Sequence, residues 1–192
     1  MKIQSVNKIT DYPYLNMFET RYEDAAGRDR VWRFVSRQDP PRCVSGVWDI
    51  PDAVVIVAFH VEKNRLAIIR EFRVPLGGYQ YGLPAGLVDE GETVADCVSR
   101  ELREETGLTV VRWIKTSPLI YSSSGMTDES IALAYVECAG EPSSQGNSAS
   151  EDIETLLVTP EEALRLCEDH HAMVDVKTWL VLSVYGATGK IC

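Results

Sequence analysis

Three glutamates, Glu101, Glu104 and Glu105, stand at i, i+3 and i+4 in a segment that reads as a helix, Thr93 to Glu105. At that spacing their carboxylates share one face across a single turn. Like charges so close repel, and helix propensity gives no reason for them. Two explanations stand. The face could be a solvated one, salt-bridged to Arg100 and Arg103. Alternatively, a hard divalent cation would reverse the sign of the interaction. Mg²⁺ takes carboxylate oxygens and keeps waters and substrate phosphates as its other ligands.

The helix is predicted from Val94, Cys97, Val98 and Leu102, which recur at three- and four-residue steps and form one apolar stripe. Gly107 follows as a stop. Ahead of the helix, Ala53 to Val61 (AVVIVAFHV) is a near-continuous apolar run and suits a strand buried on both faces. Arg65 to Phe72 returns as a second strand after a turn at Glu62-Lys63-Asn64. Pro75 to Tyr79 reads as a loop leading to Leu83-Pro84-Ala85-Gly86. Beyond the helix, strands are expected at Thr109 to Leu119, Ile131 to Cys138 and Ile153 to Val158. A polar loop, Tyr121 to Glu129, lies between the first two, and a mobile Gly/Ser-rich segment, Ala139 to Ser150, precedes the third. Thr159 caps a helix from Pro160 to about His170, and Val174 to Tyr185 forms the last helix, ending near Gly186.

At the other end of the chain, Tyr14 to Tyr22 and Arg30 to Arg37 are rich in aromatic and β-branched residues, with a turn between them. They predict a β-hairpin, closed off by Pro40-Pro41. A lone hairpin is marginal in water, so it needs its own catalytic domain or a second subunit to cover it.

Composition narrows the function classes. The chain has 192 residues, 45% of them hydrophobic, as in an ordinary globular domain. A net charge of −10 argues against a general nucleic-acid surface but leaves a small anionic substrate open, because a metal can invert the local field. No apolar run is long enough to span a membrane, and the N-terminus has no apolar region of a secretion signal. The five cysteines are scattered without metal-ligand spacing, which points to thiols in a reducing cytoplasm. His60 reads as a satisfied core histidine, and His170 and His171 as surface residues.

Gly86, Glu92, Arg100, Glu101, Leu102, Glu104, Glu105, Gly107 and Leu108 match all nine fixed positions of the Nudix box over 23 residues. The sequence therefore resembles the Nudix hydrolases, which split a nucleoside diphosphate linked to another moiety with Mg²⁺ or Mn²⁺. The resemblance implies an α/β fold: an α/β/α sandwich around a mixed sheet, with an N-terminal antiparallel β-hairpin subdomain. Residues 1–50 would be the hairpin and dimerisation region and 51–192 the hydrolase domain. Glu101 and Glu105 would be the main metal ligands, with Glu104 nearby and the Ala85 carbonyl completing the site. Arg100 would orient a carboxylate and Glu92 would brace the loop.

Flanking segments resemble the ADP-ribose and ADP-sugar pyrophosphatase branch. They are Glu71 to Tyr79 followed by Leu83 to Gly86, and Trp32 to Arg37 at the end of the hairpin. The resemblance runs roughly from residue 14 to 185 and implies a homodimer with exchanged N-terminal strands. In it Tyr14 and Trp32 would hold adenine, although both would serve equally as core aromatics of a hairpin. Arg37 and Arg73 are candidate donors to the pyrophosphate, with a solvated or salt-bridged strand residue as the plainer reading. Gly125 and Met126 match the loop beyond the box. Glu151 is the expected base that activates water, with Asp152 and Glu154 as competitors and a charged strand start as the bland alternative.

Two departures stand out: Gly82, where the branch carries an acidic residue, and Ser122 and Ser124, where it has prolines. The expected activity is metal-dependent hydrolysis of a nucleotide sugar, ADP-ribose to AMP and ribose 5-phosphate. Alternatives are GDP-mannose or UDP-glucose as substrate, a housecleaning nucleoside triphosphatase, and a non-catalytic nucleotide sensor.

Overall fold

Alternation of buried and exposed residues along Asn16–Glu23 (β2) makes Phe18 a core residue while its neighbours Met17 and Glu19 face outward. This strand pairs antiparallel with Asp29–Ser36 (β3), and opposed Phe18 and Phe34 stack with ring centroids 5.8 Å apart. Asp24 folds the intervening turn by accepting the Ala26 and Arg28 N–H groups at 2.8 and 3.0 Å. A strand the sequence did not announce, Lys2–Lys8 (β1), pairs with the other edge of β2. The expected hairpin is thus the core of a three-stranded sheet, β1-β2-β3.

The computed structural model describes residues 1–148 and 150–192. It divides into two units: Met1–Ala53 with Leu119–Ile131, and Val54–Pro118 with Ala132–Cys192. In the first, a short helix Arg42–Ser45 (α1) begins a buried polar network. The Arg42 side chain is 2% exposed and reaches Asp52 and Ser130 at 2.8 Å each, and the Val47 and Ile50 carbonyls at 2.7 and 2.8 Å. This ties the 42–52 loop to the later segment of the same unit.

The larger sheet is built from Ala53–His60 (β4), Arg65–Arg73 (β5), Gly78–Gly82 (β6), Ala85–Leu87 (β7), Thr109–Thr116 (β8), Ile120–Tyr121 (β9), Ser130–Ala139 (β10) and Ile153–Val158 (β11). Its main order is β11-β5-β4-β10-β8, with β6 beside β5, β7 beside β4 and β9 beside β10. β6 overlaps the end of the expected loop Pro75 to Tyr79 and β9 the start of the expected loop Tyr121 to Glu129, while β7 falls where no strand was expected.

Helix Val94–Thr106 (α2) starts where Thr93 accepts the Asp96 N–H at 3.2 Å, a cap worth about 1 kcal/mol. It ends at Gly107, whose φ of 73° only glycine adopts cheaply. Its stripe of Cys97, Val98 and Leu102 packs on Val54, Ile56 and Ala58 of β4 and Ala134, Val136 and Cys138 of β10. Phe59, of opposite parity to Ala58, meets Tyr185 edge-on at 6.3 Å. Helices Pro160–Glu168 (α3) and Val176–Thr188 (α4) therefore cover the other sheet face, giving the expected α/β/α layering.

The last helix does not stop near Gly186 but runs to Thr188, where Gly189 takes φ 67°. Gly186 serves a different purpose: a Cβ there would lie 2.6 Å from the Leu164 Cγ, so its bareness lets α4 approach α3. Among the described residues, no helix is long and apolar enough to cross a membrane. Of the Ala139–Ser150 segment, Ala149 lies outside the described residues. Within the described part, the Ser143 N–H donates to the Thr106 carbonyl at 2.8 Å and Asn147 Nδ2 to the Ile153 carbonyl at 3.1 Å.

Candidate active site

The box glutamates differ in burial because the helix turns them differently against the sheet. Glu105 is 7% exposed, and its Oε2 accepts the Ala85 N–H at 3.0 Å, joining helix to β7. Glu101 is mostly buried beside Gly86, where any Cβ would overlap its carboxylate. Glu104 is half exposed. Arg100 organises the group from the flank. Its Nε and Nη2 grip both oxygens of Glu92 at 2.9 and 2.8 Å, and Nη1 reaches Glu101 at 2.6 Å and Glu104 at 3.4 Å. Nη2 also donates to the Leu87 carbonyl at 3.0 Å, so the loop before the helix is braced at two points.

The electrostatics follow from this packing. Burial pushes the Glu105 carboxyl up to about 8, opposed by the Ala85 N–H and reinforced by the charges of Glu101, Glu71 and Glu151. Burial also raises Glu101, against the pull of Arg100 and with the repulsion of Glu104 and Glu151. Glu92, hydrogen-bonded by Arg100, is held down to about 2. A group of carboxylates that burial and mutual repulsion both disfavour as anions is one that a cation would stabilise. Among the described residues, no three of these side chains are already drawn into a metal-holding arrangement. Arg100 and the Ala85 N–H instead engage Glu101 and Glu105. The donors, all hard oxygens around a glycine-cleared space, fit Mg²⁺ or Mn²⁺.

Glu71, assigned no role from the sequence alone, belongs to this cluster. Its carboxyl is raised by burial, feels Glu151, and pairs with Arg73 at 2.8 Å. The available signal was a carboxylate in a strand whose other charged residues, Arg65, Arg70 and Arg73, are all basic. The competitors of Glu151 separate by strand parity. In the β11–β5 ladder Ile153 stands opposite Glu71 and Glu154 opposite Arg70. Glu154 therefore shares the sheet face of Arg70, 3.6 Å away, and not the face of Glu71. Asp152 accepts the Tyr79 hydroxyl at 2.5 Å. The charge of Glu151 acts on Glu71, Glu101 and Glu105 alike, and its Oε2 accepts the Ser148 N–H at 2.8 Å.

In the N-terminal unit, residues 93 apart in sequence meet. Trp32 Nε1 donates to the Gly125 carbonyl at 3.2 Å, and the Met126 carbonyl accepts the Val35 N–H at 2.8 Å. Arg37 pairs with Glu129 at 2.9 Å. Trp32 is 51% exposed and lines an apolar cavity of about 670 Å³ with Tyr22, Phe34, Trp48 and Tyr121. Trp48 and Tyr121, which meet edge-on at 6.5 Å, went unnoticed in the sequence because neither lies near Trp32 in the chain. Tyr14 is 81% exposed, outside the Phe18–Phe34 core. His60 is fully buried, with its Nε2 2.7 Å from the Gly140 carbonyl, while His170 and His171 are exposed.

An α/β/α sandwich presenting a carboxylate cluster from a capped helix defines a class of protein, and the comparisons give it its family. The NUDIX domain model matches residues 49–180, and the chain belongs to that family. It is 33% identical over 132 residues to the ADP-ribose pyrophosphatase of Bacillus subtilis, covering 67% of this chain and 68% of that one. It is 28% identical over 137 residues to the ADP-ribose pyrophosphatase of Saccharomyces cerevisiae, covering 71% and 58%. The chain spans about 60% of the length of several curated relatives that it matches. A crystal structure of an ADP compounds hydrolase shares the fold, with a TM-score of 0.66 at 21% identity over 88% of this chain and 83% of that one.

Proposed function

We propose that this protein hydrolyses the diphosphate linkage of a nucleoside diphosphate sugar, with ADP-ribose the favoured substrate and AMP and ribose 5-phosphate the products. The observation that carries this reading is the cluster of Glu101, Glu104 and Glu105, in which burial first and neighbouring carboxylates second disfavour the Glu101 and Glu105 anions. Glu101, Glu105 and the Ala85 carbonyl would hold Mg²⁺ or Mn²⁺, with Glu104 at the margin. Bound there, the cation would neutralise the diphosphate and acidify a water.

The chain's own groups supply the rest. Glu151 takes the proton of the attacking water as its oxygen bonds to phosphorus. The bridging P–O bond then breaks, and its electron pair leaves with the departing phosphate. Arg73, held by Glu71, offers a guanidinium fork to phosphate oxygens. Arg37 is a second candidate for that role. The Trp32 cavity suits a purine, since a large flat apolar surface stacks well on aromatic walls. Little covalent chemistry is asked of the protein, so positioning and charge stabilisation supply most of the rate. Homodimerisation through the N-terminal strands, with Tyr14 contributing to base binding, belongs to the same reading.

A panel of ADP-ribose, ADP-glucose, GDP-mannose, UDP-glucose and dGTP, each with Mg²⁺, tests the substrate assignment. ADP-ribose is expected to give the highest kcat/KM. A preference for a GDP or UDP sugar would keep the metal site and discard the adenine account, and Gly82, Ser122 and Ser124 are where that difference would originate. Tight binding of nucleotide without turnover would favour a sensor.

A further inference from the structure

Glu151 stands two residues before β11, whose start is held from two directions. Asp152, next in the chain, offers its carbonyl to the Phe72 N–H at 3.1 Å and its Oδ2 to the Tyr79 hydroxyl at 2.5 Å. Tyr79 is itself fixed. It stands opposite Phe72 in the β5–β6 ladder and meets that ring edge-on at 5.5 Å. The Arg70 guanidinium lies 4.1 Å over its ring and pairs with Glu154 at 3.6 Å. On the other side of Glu151, its own N–H donates to the Ser148 carbonyl at 3.0 Å, and Asn147 reaches across to Ile153. The residue preceding β11 is thus pinned by main chain and side chain to a sheet whose opposite face carries Glu71. Pairing places Tyr79, opposite Phe72, on the sheet face away from Glu71, and Asp152 meets it there, while the charge of Glu151 acts on Glu71, Glu101 and Glu105.

We propose that Tyr79 is a positioning residue: by holding Asp152, it fixes the backbone from which Glu151 is aimed at the cluster. The proposal rests on reading Glu151 as the base. A phenol donating to a carboxylate is among the stronger hydrogen bonds, and it is made here by a residue two strands away from the chain it steadies. No part of Tyr79 has to touch substrate. Its effect passes through the placement of one carboxylate, where a displacement of about 1 Å costs up to roughly 100-fold in rate.

The test is a cycle of Tyr79→Phe, Glu151→Gln and the double variant, read as kcat and KM for ADP-ribose with Mg²⁺ and as thermal midpoint. Tyr79→Phe is expected to lower kcat about tenfold, with KM within about twofold of the parent and the midpoint unmoved. The double variant should fall no further than Glu151→Gln alone, because the tyrosine acts only through that glutamate. Asp152→Ala should reproduce the loss. Asp152→Asn, which keeps an oxygen for the hydroxyl, should restore part of it. Unchanged kcat in Tyr79→Phe and Asp152→Ala, or losses that multiply in the double variant, would overturn the positioning role while leaving the base assignment intact. Parent-like kcat in Glu151→Gln alone would overturn the base assignment and the proposal with it.

Discussion

Glu105 is a buried carboxyl whose titration is strongly displaced. Its carboxyl lies at about 8 in the folded chain against an ordinary value of 4.5, because burial and neighbouring carboxylates both penalise the anion. The folded state therefore binds more protons than the unfolded state between those values, and stability falls as pH rises through that window. Glu101 and Glu71 shift in the same direction. Glu92, held down to about 2, contributes stability that is lost as pH falls from about 4.5 to about 2, so it leaves the neutral range untouched. In EDTA the thermal midpoint should decline from pH 6 to pH 9, and Glu105→Gln should flatten most of that decline. Added Mg²⁺ should protect more at the higher pH. A parent protein whose midpoint rises with pH across that range in EDTA would contradict the burial of this charge.

At the scale of elements, the helix that bears the cluster was legible in the sequence because its information is local. Thr93 caps it, the apolar stripe faces the sheet and Gly107 ends it, all within one stretch of chain. The long apolar β4 and β5 were legible for the same reason. β6, β7 and β9 were not, since they are short and exist only because a neighbouring strand lies within hydrogen-bonding reach. β1 likewise owes its form to β2. Gly186 misled in the opposite sense, as a stop signal that proved to be a packing requirement. Ala at this position gains about 1 kcal/mol of helix propensity. Its Cβ would overpack Leu164 at a cost of about 1–3 kcal/mol. Gly186→Ala should therefore lower the unfolding free energy, as measured by urea titration, despite the better helix former. An increase would show that α3 yields freely.

Across the whole molecule, the candidate residues fall in two units. The carboxylate cluster of Glu101, Glu105 and Glu71 lies in one, and the aromatic cavity of Trp32, Trp48 and Tyr121 in the other. The box could be read directly from spacing. Glu71, Trp48 and Tyr121 could not, because each gains significance from a neighbour that only the fold supplies. The chain is acidic, at −10, so on the proposed function attraction of a nucleotide would come from local cations and guanidinium groups and not from the overall field. If the N-terminal strands are exchanged between copies, light scattering should give twice the monomer mass at micromolar concentration, and a monomer mass would remove that part of the account. The central claim is that cation-bound carboxylates on α2 break a nucleotide sugar's diphosphate. Its most direct test is AMP release from ADP-ribose by the parent protein and by Glu105→Gln, each in Mg²⁺ and in EDTA. Turnover by the parent in Mg²⁺ alone, lost by at least about 100-fold in the variant at unchanged circular dichroism, is predicted. AMP release that persists in EDTA, or that survives Glu105→Gln, would contradict it.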